Sequence, residues 1–225
     1  MRNTAALLLA AGLSRRMGQQ KLLLPLGDRT VIARCIGSVL QAGIGNVVVV
    51  TGPEGGAVRD AVKGFPVSVV TNAACGTEMA DSVKTGLDAL DASGGGEDDV
   101  FVCPGDHPLV LPSTFTAMHA AYRNDPGIII PRYLGKKGHP VLFPRQILAE
   151  IGTVPALRDI LRKHPDAVRP IDIYDEGVVI DVDTPEDYRE ARMHFFAAEH
   201  AAARHETRPN GAAAVAGGSA TGAAR

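Results

Sequence analysis

Short apolar runs alternate with helical patterns along most of this chain, and that alternation leaves few folds open. The runs lie at 4–10, 46–51, 67–71, 99–103, 127–131, 139–143 and 178–182. Their continuous apolar character, as in NVVVVT at 46–51, suits strands covered on both faces. Helical spacing fills the intervals. Residues 30–42 start at Thr30, a fitting N-cap, and stop before Gly43. Residues 77–90 follow Thr77 with Glu78 in the first turn, and place Met79, Val83, Leu87 and Leu90 on one face. Residues 112–124 follow Pro112 and Ser113, and residues 185–196 open with Thr184, Pro185, Glu186 and Asp187. Strands alternating with helices imply βαβ units. The expected fold is α/β, a doubly wound, mostly parallel, Rossmann-like sheet in a three-layer α/β/α sandwich.

The expected folded part is a single domain over about residues 1–200, a length that buries one substantial core. The Ala/Gly-rich end nearly lacks large apolar groups. The last helix is expected to run to about residue 204, and 205–225 reads as a disordered tail. Net charge is −2, so no global field calls for nucleic acid or an anionic membrane. Trp is absent and aromatics are few, which disfavours a base-stacking surface. Cys35, Cys75 and Cys103 are odd in number and far apart, and read as reduced, mostly buried thiols. The apolar start could pass for a signal peptide. However, Arg15 and Arg16 follow the apolar run instead of preceding it, and a second apolar run comes at once. The expectation is a soluble cytoplasmic protein, with neither a membrane nor a nucleic acid as partner.

In an open parallel sheet, ligands bind beyond the carboxyl ends of the strands. That rule sorts the polar motifs. After the first run come Gly12, Arg15, Arg16, Gly18 and Lys21. Backbone amides there suit phosphate oxygens, the arginines offer forked donors, and Lys21 a compact charge. Neither the Walker pattern nor G-x-G-x-x-G is present. A solvated loop with a capping glycine is the plainer alternative. Asp106 sits in a stiff turn between Pro104 and Pro108, fit for Mg²⁺ or for an ordinary Asx-turn. Asp181 and Asp183 share one face of an extended segment, and with Asp106 could hold one hard cation between them. Either Asp183 or Thr184 serves equally well as the helix N-cap. Gly135-Lys136-Lys137-Gly138-His139-Pro140 reads as a cradle for a second anionic substrate, or as a hairpin turn with solvated lysines. Asn72, Thr77 and Glu78 would read a base or ribose, or cap the helix, with capping favoured for Thr77.

These residues resemble a known family. Leu9-Ala10-Ala11-Gly12-Leu13-Ser14-Arg15-Arg16-Met17-Gly18, then Lys21, is similar to the signature loop of nucleotidyltransferases with the glycosyltransferase-A-like (nucleotide-diphospho-sugar transferase) fold. More closely, the chain resembles the molybdenum cofactor cytidylyltransferases. NAACGTEMADSVKTG (72–86), PGDHPLV (104–110), GHPVLF (138–143) and DVDTPEDY (181–188) carry that likeness, over about residues 1–195. The resemblance implies that the backbone of Leu9, Ala10, Ala11 and Gly12 contacts the nucleotide. It implies Arg16 and its neighbour Arg15 on the leaving pyrophosphate and Lys21 on the α-phosphate. Asp106 becomes the principal Mg²⁺ ligand and Asp183 the second, with Asp181 beside it. From their positions at strand ends, Asn72, Gly138 and His139 are expected to join the ligand contacts. Guanylyltransferase relatives usually carry L-A-G-G and a terminal N-x-N-T-P, so Ala11, Asp181 and Asp183 favour CTP over GTP. The chain departs from the family at Thr77-Glu78-Met79-Ala80, where G-M-x-x-S is frequent. At His107, Gln, Met or Ser is also common.

The implied reaction is transfer of CMP from CTP to the phosphate of molybdopterin or the molybdenum cofactor, with release of pyrophosphate. A molybdoenzyme receiving the product is the further partner. Three alternatives stand beside it. The first is a same-fold guanylyltransferase, or a nucleotidyltransferase acting on another phosphate-bearing acceptor. The second is a non-catalytic cofactor escort, disfavoured by the set Lys21, Asp106 and Asp183. A dinucleotide-dependent oxidoreductase is disfavoured most, by the glycine spacing of the first loop.

Overall fold

A computed structural model describes residues 3–12, 17–74 and 79–206, the last five without their side chains. In chain order the strands are β1 (Thr4–Ala10), β2 (Pro25–Leu26), β3 (Arg29–Thr30), β4 (Asn46–Thr51), β5 (Ser68–Thr71), β6 (Asp99–Pro104), β7 (Ile128–Tyr133), β8 (Lys136–Lys137), β9 (Val141–Pro144) and β10 (Val168–Asp172). The α-helices are α1 (Val31–Gln41), α2 (Gly56–Val62), α3 (Met79–Ala92), α4 (Pro112–Asn124), α5 (Arg145–Leu148), α6 (Leu157–Lys163) and α7 (Pro185–Glu206). The main sheet runs β10-β7-β9-β6-β1-β4-β5, with β8 hooked onto β7, and β2–β3 form a separate small hairpin. The doubly wound α/β expectation holds.

The apolar runs split by period two into two cores. Ala6, Leu8, Val47, Val49, Phe101 and Cys103 face α1, α2 and α4. Ala5, Leu7, Val48, Val50, Val100 and Val102 face α3, α5 and α6. A strand with apolar residues on both faces fits only between two helix layers, which is why these runs show no polar alternation. Thr30 caps α1 by accepting from the Ala33 N–H at 3.4 Å, and Gly43 follows its end at φ +83°. Thr184 caps α7: its hydroxyl accepts from Asp187 N–H at 3.2 Å while its own N–H donates to Asp187 Oδ2 at 2.8 Å. That choice of cap leaves the Asp183 carboxylate for another use.

Two expectations need correction. The run at 178–182 is not a strand: residues Glu176–Val179 form a 3₁₀ turn, and the next residues extend without joining the sheet. Val178 and Val182 are wholly buried, so the apolar signal marks a plug. The backbone there pairs once with each of two neighbours, His139 N–H to Val178 O and Val182 N–H to Asp106 O. The seventh main strand is instead β10, whose sequence VRPID is too polar to announce itself; as an edge strand it tolerates Pro170. The run at 139–143 does form a strand, β9, but it lies antiparallel to both β6 and β7.

The helix read to about residue 204 continues to Glu206. Most of the tail reading, the N-cap reading at Thr77 and Cys75 lie outside the described residues. Cys35 and Cys103 are buried free thiols, and burial pushes both thiol pKa values up. Among the described residues no helix is long and apolar enough to cross a membrane.

Gly138 and Gly177 lock the plug in place. A Cβ on Gly138 would stand 2.1 Å from Val178 O, and one on Gly177 would stand 2.3 Å from Leu109 O. Gly138→Ala is expected to destabilise the protein by about 1–3 kcal/mol through overpacking, or ~3–10 °C in Tm, read by thermal unfolding. An unchanged Tm would show that the plug is loosely seated.

Candidate active site

From β1 the chain winds outward through β4 and β5, then returns to β6 on the other side of β1. Such a reversal opens a crevice at the carboxyl ends of the two diverging strands. Gly105, just past β6, donates its N–H to Leu9 O at 3.0 Å, closing the floor of that crevice. A Cβ there would come within 3.0 Å of the same oxygen.

Lys21 begins a 3₁₀ turn after the first loop and is buried. Its Nζ donates to Asp106 Oδ2 and to Asp183 Oδ1, both at 2.6 Å. The three residues come from the first, middle and last parts of the chain. Main-chain bonds tie the partners together: Val182 N–H donates to Asp106 O at 2.9 Å, beside Asp183. His107 Nδ1 lies 2.9 Å from Asp106 Oδ1, so both oxygens of that carboxylate are engaged.

Burial alone would raise the Asp106 pKa. The His107 hydrogen bond and the Lys21 ammonium outweigh it and hold the carboxyl well below the usual carboxylate range. Burial likewise pulls Lys21 down, but Asp106 and then Asp183 outweigh it and leave its pKa raised. The sign of each shift sets the pH window. The depressed Asp106 contributes stability above its unfolded pKa, lost as pH falls through the folded one. The raised Lys21 contributes below its unfolded pKa, lost as pH rises through the folded one. Both groups are therefore charged throughout the neutral range. His139 differs: burial, then the neighbouring His107, pushes it down to about 4, so it is neutral at pH 7. Its ring meets His107 edge-on, with centroids 5.1 Å apart.

Beside this cluster, on the β1/β4 side, opens a cleft of about 260 Å³. Ala10, Ala11 and Gly12 line one wall and Gly52, Glu54 and Gly55 another, with Gly18–Gln20 between. The sequence reading missed the second wall. Its signal was present, since TGPEGG follows β4 at a carboxyl strand end. On the other side of β6 lie the start of β9 and the carboxyl end of β7. Because β9 is antiparallel, its beginning reaches this edge.

The structure brings Lys21, Asp106 and Asp183 together and lines the cleft with Ala10, Ala11 and Gly12. Leu9 contributes its carbonyl to Gly105. Arg15 and Arg16 lie outside the described residues. Asp181 does not join the cluster: among the described residues no three acidic, His or Cys groups gather as a metal site. Val182, between the two aspartates, is wholly buried, and Asp183 is the one bonded to Lys21. Asn72 is buried and ties its loop to α3, donating to Ser82 Oγ at 3.2 Å and accepting from Ala74 N–H at 3.1 Å. The amides of Gly138 and His139 donate to Pro131 O and Val178 O, both at 2.8 Å. An anion cradle there would have to come from side chains.

The family of the MobA-like NTP transferase domain matches residues 6–168. The molybdenum cofactor cytidylyltransferase of Escherichia coli K12 is 27% identical over 192 residues, covering 83% of this chain and 94% of the relative. Nicotine blue oxidoreductase of Paenarthrobacter nicotinovorans is 30% identical over 193 residues, covering 80% and 91%. The crystal structure of Rv0371c from Mycobacterium tuberculosis H37Rv complexed with manganese superposes with a TM-score of 0.68 at 27% identity, covering 84% of this chain and 98% of that one. With the crevice, the glycine-walled cleft and this likeness in hand, the chain belongs to the MobA-like NTP transferase domain family and is a nucleotidyltransferase.

Proposed function

We propose that this protein is a cytoplasmic, Mg²⁺-dependent cytidylyltransferase that transfers CMP from CTP to the phosphate of molybdopterin or the molybdenum cofactor, releasing pyrophosphate. The observation that carries the reading is the Lys21 ammonium held by Asp106 and Asp183 at 2.6 Å each, beside a cleft walled by small residues. A likeness to the E. coli cytidylyltransferase over most of both chains supports the choice of cytidine and of the pterin acceptor. A molybdoenzyme would receive the product.

The donor chemistry fits a hard divalent cation. Two carboxylate oxygens already converge on one positive charge, and Mg²⁺ at nucleotides commonly takes one or two carboxylates plus phosphate oxygens. Asp106 and Asp183 are the residues that would hold it. Bound there, the ion would supply charge neutralisation for the triphosphate.

An acceptor phosphate oxygen forms the new P–O bond at the α-phosphorus. The bond to the β-phosphate oxygen breaks, and its electron pair leaves with pyrophosphate. The nucleophile is already an anion, so no general base is needed. The chain contributes position and charge. The backbone at Ala10–Gly12 approaches the nucleotide without side-chain obstruction, and Lys21 offsets charge on the α-phosphate. Arg15 and Arg16 would meet the departing pyrophosphate. His139 and the lysines at 136–137, across β6 from the cleft, sit on the acceptor side. His139, neutral at pH 7, would offer a hydrogen bond there without charge.

A same-fold transferase for another phosphate-bearing acceptor is the second reading, favoured by Gly138 and His139 giving their amides to the protein itself. Pyrophosphate release with each of the four nucleotides, against the pterin cofactor and against simpler phosphate monoesters, separates the two. Tight CTP binding with no release under any pairing would favour an escort.

Lys21→Ala is expected to lower turnover by at least ~10²-fold, as for loss of a preorganised donor. Asp106→Asn should abolish Mg²⁺-dependent release with its circular dichroism unchanged. A rate within a few-fold of wild type in either variant removes that residue from the mechanism. Stability offers a separate check. Lys21→Met leaves two partly buried carboxylates facing each other, which should cost about 2 kcal/mol, or ~4–8 °C in Tm. Millimolar Mg²⁺ should restore more than half of that loss while barely moving the wild type. Equal Mg²⁺ shifts in both proteins would show that Asp106 and Asp183 do not form a cation site.

A further inference from the structure

The geometry points to His107 as a positioning residue that fixes which oxygen of Asp106 faces the cation position. The inference rests on the transferase reading, which makes that cation the metal of the nucleotide.

The backbone of the Asp106 turn is tied down on both sides. Gly105 N–H is bonded to Leu9 O, Asp106 O accepts from Val182 N–H, and Pro108 follows directly after His107. What remains free is rotation of the carboxylate. Oδ2 lies on Lys21 Nζ at 2.6 Å, and Oδ1 lies 2.9 Å from His107 Nδ1. A carboxylate has no hydrogen to give, so the imidazole donates through Nδ1–H. Its ring is itself held: the side chain is about one-eighth exposed and stands edge-on to His139. The chain of support runs from the His139 ring to the His107 ring, to Oδ1, and so to the orientation of Oδ2. A cation taking the place of the Lys21 ammonium at Asp106 meets a single preset oxygen. Without the donor, the carboxylate would keep only the Lys21 contact, which is the contact a bound metal and phosphate must rearrange. Partners that orient a metal-binding carboxylate are typically worth about 10–100-fold in metal affinity.

The test compares His107→Phe, which keeps a ring against His139 but has no donor, with His107→Gln, whose amide restores one. Mn²⁺ affinity is measured by electron paramagnetic resonance on the full chain with a non-hydrolysable α,β-methylene CTP, and Asp106→Asn is the control. His107→Phe should bind Mn²⁺ about tenfold or more weakly, with His107→Gln within about threefold of wild type. In turnover, the Phe variant should show a raised KM for Mg²⁺ and a kcat at saturating Mg²⁺ within a few-fold of wild type. Its crystal structure should show the Asp106 carboxylate rotated from its wild-type orientation. His107→Phe binding Mn²⁺ within twofold of wild type while Asp106→Asn is weakened would overturn the role of His107 and leave the transferase reading standing. Equal weakening of the Phe and Gln variants would also overturn it, since the donor would then not matter. A wild-type protein that binds no Mn²⁺ with the nucleotide would sink the transferase reading itself, and this inference with it.

Discussion

One ammonium group organises the functional edge of this protein. Lys21 Nζ reaches Asp106 and Asp183 at once, and those partners lie 85 and 162 residues away along the chain. Side chains alone do not hold so distant a meeting. The main chain arranges it first, through Gly105 N–H on Leu9 O and Val182 N–H on Asp106 O. Glycine at 105, 138 and 177 lets these backbones touch where a Cβ would collide with a carbonyl or a neighbouring side chain. The ion pairs then lie between segments whose spacing the fold has already set. The spacing of the charged groups is thus set before any ligand arrives, the kind of preorganisation on which electrostatic catalysis draws.

The same edge explains why the sheet is not uniformly parallel. If β9 ran parallel to its neighbours, its carboxyl end would reach the crevice and Gly138-His139 would lie at the far edge. Lying antiparallel between β6 and β7, it delivers its first residues to the crevice instead. The winding of β1, β4 and β5 builds a cleft of about 260 Å³ on one flank. The reversed strand and the end of β7 furnish the other flank. The Lys21 cluster stands between the two, where a transferred group would have to pass.

Much of this is legible in the residues, for identifiable reasons. β1, β4 and β6 stand out because both faces are buried and no polar residue interrupts them. Lys21, Asp106 and Asp183 stand out because charged residues lie in polar stretches that come after apolar segments, where a parallel sheet binds its ligands. The failures share a cause as well. Apolar residues can be buried without forming a strand, as Val178 and Val182 are, and an edge strand such as VRPID can do without apolar residues. Glycine at 138 suggests a ligand contact from sequence, and the structure adds a second reason for it, the close approach of Val178 O. Asn72 is harder to read, because a polar residue at a strand end can serve a ligand or its own fold, and spacing does not distinguish them. Asp181 and Asp183 look equivalent in sequence, and only the bond from Lys21 to Asp183 separates them.

The resting charges of the site bear on how the proposed substrate would enter. Lys21 is already neutralised twice over, by carboxylates with which it shares short bonds. It is therefore a poor long-range attractor for a triphosphate, and the chain as a whole carries net charge −2. On the proposed reading, the attraction that brings the nucleotide in belongs to the cations of the first loop, Arg15 and Arg16. Lys21 acts later and at short range, since it can meet a phosphate only by exchanging carboxylate for phosphate oxygens. That exchange would leave two partly buried negative charges side by side unless another cation took its place on Asp106 and Asp183. On the proposed reading, phosphate and metal would then arrive as one unit. Nucleotide alone would then bind this crevice weakly, and the loaded nucleotide would displace a lysine already poised beside the α-phosphate.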